Sequence, residues 1–249
     1  GSTVTVKRDL SATTDASDSA ITLNDLAVDG AFTLAPNGTG AVTIVNADGL
    51  KLAASTMGGT FSGTATIGNI TQTGALDIEG TTTLVTTAQL ATIDLATNGS
   101  GNAFTSELLI TTNDNDSPTD GTYAAHVSVD GGTTNLIIGT STIDGNLTLR
   151  SGGTITDTNG STVTVKRDLS ATTDASDRAI TLNDLAVDGA FTLAPDGTGA
   201  VTIVNDDGLK LAASTMGGTF SGTATAGNIT QSGALDIEGT TTLVTTAQL

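Results

Sequence analysis

Residues 1–90 return at 160–249, displaced by 159 positions, with five changes in ninety. The changes are Ser19/Arg178, Asn37/Asp196, Ala47/Asp206, Ile67/Ala226 and Thr73/Ser232. Two copies this close must adopt the same local structure, and the architecture must let them follow one another along a single chain. Solenoids and tandem domains meet that demand. A period of 159 is too long for one solenoid coil, so a shorter repeat has to lie inside it.

Short alternating runs supply that shorter repeat. They include VTV (4–6), ITL (21–23), FTL (32–34), VTI (42–44), LKL (50–52), LDI (76–78), IDL (93–95), VSV (127–129) and LTL (147–149). Each places two apolar residues on one side of the chain and a polar residue on the other, the period of a half-buried strand. Gly30, Gly40, Gly49, Gly59, Gly68 and Gly80 separate the runs at roughly ten-residue intervals, so a pair of strands with turns takes about twenty residues. The spacing predicts about eight coils in residues 1–159 and a partial second unit over 160–249, joined as one continuous solenoid. Thr is the commonest residue, 52 of 249, and suits strands. No helical stripe of useful length occurs.

The sequence therefore predicts an all-β parallel β-solenoid with coils of about 20 residues. Tandem β-sandwich modules are the alternative. Sandwich strands are longer, and their cores lean on aromatic residues, which make up 2 % of this chain. A narrow coil filled by Val, Ile and Leu fits better.

Twenty-six acids against eight Lys and Arg give a net charge of −18. Such a surface repels nucleic acid and anionic membranes. With no Cys there is neither a disulfide scaffold nor a Cys-based zinc site. The sequence has no signal-peptide pattern and no apolar run long enough to insert in a membrane.

Candidate chemistry is sparse. DNDSPTDG (114–121) brings Asp114, Asp116 and Asp120 together with Asn113 and Asn115, oxygen donors that suit Ca²⁺. The EF-hand pattern fails there, because the Gly falls late and no Glu closes the loop. An Asx-rich turn bent at Pro118 accounts for the same residues. His126 is the only imidazole; alternation places it opposite Val127 and Val129, hence outward, with no second ligand or nucleophile to serve. Lys7–Arg8 and its copy Lys166–Arg167 precede Asp9 and Asp168, which reads as local pairing, and Arg150 and Lys51 stand alone. No catalytic residue and no cofactor site is expected. Polysaccharide enzymes need paired carboxylates on a groove with sugar platforms, and ice binding needs Thr-x-Thr on every rung. Neither pattern is present.

NITQTGALDIEGTTTLVTT (69–87) and IIGTSTIDGNLTLRSGGTITDTNG (137–160) resemble the repeats of filamentous-haemagglutinin-type and related giant bacterial surface proteins. The resemblance implies a right-handed parallel β-helix, export from a bacterial cell and a role in adhesion or a surface fibre. The segment 104–129 departs from the pattern. The expected function is a non-catalytic structural segment of an extracellular bacterial fibre or adhesin. Self-association end to end or laterally is expected, along with cell-surface or environmental ligands. A sandwich extender of a calcium-dependent adhesin is the alternative.

Two further expectations concern the repeat. Leu249 falls inside a repeat unit, which suggests a section of a longer array or copies stacked on one another. Between the copies, Arg178, Asp196 and Asp206 should lie in exposed turns, and Ile67/Ala226 at a rim, because losing a buried Ile costs about 2–5 kcal/mol.

Overall fold

The computed structural model describes residues 2–113 and 124–246. Every strand pair is parallel, and strands that neighbour in a sheet lie one coil apart in the chain. All nine alternating runs quoted above fall within strands. About eleven coils stack into a β-solenoid, as the sequence predicts.

Three faces make up the coil. The first is a fourteen-stranded sheet that includes Ile21–Val28, Val42–Asn46, Phe61–Ala65, Thr82–Gln89 and Glu107–Asn113. The second has eleven strands, among them Leu50–Leu52, Ile70–Gln72, Ile93–Leu95, Val127–Asp130, Leu147–Ser151 and Leu169–Thr173. The third survives only in two pieces: Ser55–Met57, Leu76–Ile78 and Ala103–Phe104, and later Ser214–Met216 with Leu235–Ile237. Gly99–Gly101 forms one 3-10 turn.

Pairing continues through residues 159–160, since Leu147–Ser151 stacks on Leu169–Thr173 and Val163–Val165 stacks on Leu185, Ala186 and Val187. From Leu10 to Leu169 the second face takes seven steps, where division by twenty gives eight. The difference comes from one long arc: Ile93 pairs with Val127, and the family-like beat lapses between them.

Inward residues stack in files along the axis. Val42, Phe61, Thr82 and Leu108 form one on the first face, and Leu50, Ile70, Ile93, Val127 and Leu147 one on the second. The chain has five Phe, and all five (Phe32, Phe61, Phe104, Phe191 and Phe220) are fully buried. A scarcity of aromatics thus reflects a narrow core, not an absence of rings from it. Gly63 faces inward beneath one of them: a Cβ there would lie 2.9 Å from Phe61 Cζ and 2.7 Å from Leu50 Cδ2.

Corners carry the polar work. Where Val42–Asn46 follows the longer Ile21–Val28, the ladder shifts and Val28 loses a strand partner. The amide of Asn46 takes that place. Its Oδ1 accepts from the Val28 N–H at 2.9 Å, and its Nδ2 donates to Val28 O at 3.0 Å and Gly49 O at 2.7 Å. Asn46 is wholly buried, and Asn205 repeats the arrangement on Val187 and Gly208. Ser55 does the same at another corner, accepting from Leu34 N–H and donating to Ala53 O. Buried polar groups persist because each is bonded.

The turns leading into the first face approach so closely that only glycine fits. A Cβ on Gly59 would lie 2.2 Å from Thr39 O, and one on Gly80 would lie 2.4 Å from the Gly59 carbonyl carbon. Such contacts are with backbone and cannot relax by a rotamer change. At the same corner, on the far side of the Thr39 turn, Asp18 has φ 60°, and its Oδ1 accepts from both the N–H and the hydroxyl of Thr39 one coil away. Those bonds, the backbone one foremost, hold its carboxyl below the ordinary carboxylate range, and Thr198 holds Asp177 down in the same way.

The five substitutions sit where the repeat permits them. Arg178, Asp196 and Asp206 are exposed and outside strands, Ile67 is 65 % exposed, and Ala226 is exposed.

Two stability predictions follow from the corners. Gly59→Ala forces adjacent coils apart and should cost about 1–3 kcal/mol, a fall in Tm of at least ~2 °C by calorimetry. Asn46→Ala strands the Val28 amide and should cost about 1–3 kcal/mol. Asn46→Asp should be worse, because it removes both Nδ2 donations and buries a charge. Either variant melting like the wild type would contradict the corner assignment.

A third prediction concerns pH. Asp157 is raised above the ordinary carboxylate range by burial, against which the N–H groups of Asp184 and Asn183 act. A raised acid favours the fold below the unfolded value and loses that contribution as pH climbs through the folded one. Asp18 and Asp177 run oppositely, stabilising above the unfolded value and losing it on acidification. Asp157→Asn keeps an acceptor for both N–H groups, so it should raise Tm at pH 7, with the gain vanishing below about pH 4 in calorimetric scans.

Candidate functional site

Asp114, Asp116 and Asp120, the candidate calcium ligands, lie outside the described residues. Among the described residues no cluster of three or more His, Asp or Glu is arranged to hold a metal. No helix there is long and apolar enough to cross a membrane. His126 is half-buried at the start of a second-face strand, and its Nδ1 accepts from the Asn146 N–H at 2.9 Å. That bond joins successive coils and leaves the ring as a structural link.

The basic residues depart from the local reading. Lys7 pairs with Asp29 at 3.3 Å and Lys166 with Asp188 at 3.4 Å, both one coil away. Asp9 and Asp168 instead accept from the backbone N–H of Ala31 and Ala190. These exposed pairs add little energy each, yet they tie neighbouring coils. Arg150 is not alone either. Its Nε donates to Asp174 Oδ2 at 2.6 Å, and that bond holds the guanidinium above its ordinary range.

Two surface features remain after these assignments. The first is a cleft of about 440 Å³ lined by Ser100, Asp130, Thr133, Arg150, Asp174 and Arg178, with the glycines Gly132 and Gly152 in its wall. It sits where the third face is interrupted. The strands Val127–Asp130, Leu147–Ser151 and Leu169–Thr173 turn straight back into the first face, with no third-face strand between. Gly132, at φ +64°, lies so close to the coil below that a Cβ would be 2.2 Å from Asn102 O. Asn102 is buried and locked to Gln72 by two reciprocal amide bonds of 2.9 and 3.0 Å. The cleft wall thus rests on a rigid amide pair. Asp130 is 5 % exposed, with Oδ1 accepting from the Gly132 N–H at 2.8 Å.

The second feature is the outer surface of the first face. Consecutive strands present Thr43 and Val45, Ser62 and Thr64, Thr83 and Val85, then Leu109 and Thr111, in register. The second copy repeats Thr202 and Val204, Ser221 and Thr223, Thr242 and Val244. None of these side chains is charged, and their hydroxyls make no hydrogen bond within the described residues. Charge begins beside them, at Asp25 and Glu107. Coil stacking sets the columns about 4.8 Å apart along the axis, and i, i+2 spacing about 6.6 Å across it. The files mix hydroxyl and aliphatic residues, so the uniform Thr-x-Thr lattice that would suit ice is not formed.

Sequence reading missed the cleft because its charged residues come from three successive coils, with Asp130, Arg150 and Asp174 each twenty or more positions from the next. It missed the buried amides because Asn and Gln beside Gly read as turn residues. For Asn46 the signal available was its exact recurrence as Asn205, whereas Asn102 lies in the stretch 91–159 that has no second copy.

No curated protein and no solved structure matches the chain. A family model described as repeats of unknown function matches residues 39–111, 124–196 and 198–249, well over half of the chain. The gap between the first two matches falls on the segment that departs from the repeat pattern. The chain belongs to this family of β-strand repeats, and its repeats are coils of a parallel solenoid.

Proposed function

We propose that the protein is a non-catalytic structural segment of an extracellular bacterial fibre or adhesin, and that rods of it associate side by side through the first face. The observation that carries this reading is the charge-free surface of Thr, Ser, Val and Leu on a chain of net charge −18. Elsewhere acidic surfaces repel at close range, whereas two first faces meet without like charge and release water from methyl groups. Unbonded hydroxyls lend the contact hydrogen bonds without a desolvated charge. Extracellular placement rests on the resemblance to giant surface proteins and on the rod-like repeat. The mechanics follow from the fold. Load along the axis is carried by backbone hydrogen bonds between every pair of coils, together with the stacked files inside.

Lateral association is expected to rise with protein and salt concentration, because salt screens the flanking acids. Thr43→Glu with Thr83→Glu places two acids in one file and should abolish it while leaving Tm within about 1 °C. Sedimentation velocity and small-angle scattering read the result. Wild-type rods that remain single at high salt, or a double variant that associates equally well, would refute the side-by-side reading. The same scattering should give a bead-free rod about 50 Å long for eleven coils, and each 159-residue unit should advance the axis by about 34 Å, seven steps of about 4.8 Å.

A further inference from the structure

We infer that the cleft between Asp130, Arg150 and Arg178 is a binding site for a small monoanionic sugar acid, with Arg178 as the residue that confers it. Three observations converge on that chemistry. The cleft, about 440 Å³, lies in the size range of small-ligand sites, and it is built rather than incidental: its wall is the Gly132 turn fixed against the Asn102–Gln72 pair.

Guanidinium groups dominate its donors. Arg150 commits only its Nε to Asp174, so its two terminal amino groups are unengaged among the described residues. The carbonyl of Arg178 accepts from Thr173 Oγ1 at 3.3 Å and its charge helps hold the Asp177 carboxyl down, but its guanidinium makes no hydrogen bond or ion pair among the described residues. Unengaged guanidinium N–H groups are matched by a carboxylate, which accepts two of them in parallel. The remaining lining consists of the hydroxyls of Ser100 and Thr133 and the carboxylate of Asp130, whose Oδ1 is already bonded to Gly132 N–H. Those groups suit alcohol hydroxyls on the same ligand. Ala175 is the one wholly aliphatic side chain of the lining, and the rest of its carbon surface belongs to glycines and to residues with polar ends, which suits the C–H faces of a hydroxylated ligand.

The whole-chain field limits the ligand's charge. At net −18 it opposes every anion and a polyanion most, so the local guanidinium groups alone favour a carboxylate, and a single one on a hydroxylated body is the best match. The repeat itself supplies the last argument. Ser19 occupies the position of Arg178 in the first copy, and Asp15 that of Asp174, so of the five changes between copies this one places a cation in the cleft. Divergence at that position changes a binding property without touching a strand.

Glucuronate is the probe, with glucose as its uncharged counterpart and inorganic sulfate as an anion lacking hydroxyls. Titration calorimetry and ligand-observed NMR on the full chain should show one glucuronate site, at least ten-fold weaker binding of glucose, and weaker binding of sulfate. Arg178→Ser should weaken glucuronate at least ten-fold with Tm unchanged, since the first copy folds with Ser at the same position. Three results would overturn the inference: no saturable glucuronate binding at millimolar concentration, sulfate binding as tightly as glucuronate, or equal affinity in Arg178→Ser. Raising salt from 50 to 300 mM should also weaken binding several-fold. A salt-independent affinity would contradict a guanidinium-led site.

Discussion

The backbone hydrogen bond from one coil to the next is the interaction on which everything else in this protein rests. Each coil has strands of only two to eight residues, too short to hold a sheet alone. Stacked, they share a ladder along the whole axis, and each inward side chain packs above and below on its counterpart. Leu84 illustrates the dependence. Covered by the Glu107–Asn113 coil it is fully buried, while its copy Leu243, with no described coil beyond it, is 46 % exposed. Coils are therefore stabilised as neighbours, and the energy is distributed in nearest-neighbour steps.

That ladder imposes a spacing of about 4.8 Å on every atom of the coil, corners included, and the corners have to be solved separately. Two kinds of residue solve them. Glycine at positions such as 59 and 80 permits the closest approach of one turn to the next. Asn46, Ser55 and their copies bond backbone groups that a shifted ladder leaves behind. The Asp18 carboxylate clamps the glycine corner from a left-handed position, through Thr39 on the coil between it and Gly59. A single coil thus contains one device for each way in which a turn fails to match the turn beneath it.

The strands were legible in the sequence because alternation records which side of the chain is buried, and burial here is decided coil by coil. VTI at 42–44 and LDI at 76–78 announce their faces without any tertiary information. Parallel stacking was also legible, since short runs and few aromatics leave room only for a narrow core. The coil count was less so. A mean spacing ignores unequal steps such as the one from Ile93 to Val127, far longer than its neighbours. Side-chain partners were the least visible. Lys7 finds Asp29 across a coil where adjacency pointed to Asp9, and Arg150, which stood alone in the sequence, finds Asp174. Asp114, Asp116 and Asp120 fall outside the described residues, and their pattern remains a property of the sequence.

The distribution of charge connects the fold to its proposed roles. In a solenoid, substitutions on a face are multiplied along the axis, because each position recurs every coil. An acidic residue in the Thr43–Ser62–Thr83 file would stand one coil from its neighbours, and like charges at that distance oppose stacking as well as contact. Acids are accordingly absent from these files and lie in turns or elsewhere on the strands, as Asp25 and Glu107 do beside them and Asp77 does on the third face. The same geometry makes the turns the place where copies can differ. Four of the five changes lie in turns, where the side chains reach at most a hydrogen bond to the adjoining coil, such as Thr73 and its copy Ser232 to the carbonyls of Leu52 and Leu211. The fifth, Ser19/Arg178, meets a gap in the third face and acquires neighbours from two other coils. Function in a repeat of this kind is gained where regularity lapses: a missing strand opens a cleft, and a tolerated substitution in an adjoining turn decides its chemistry.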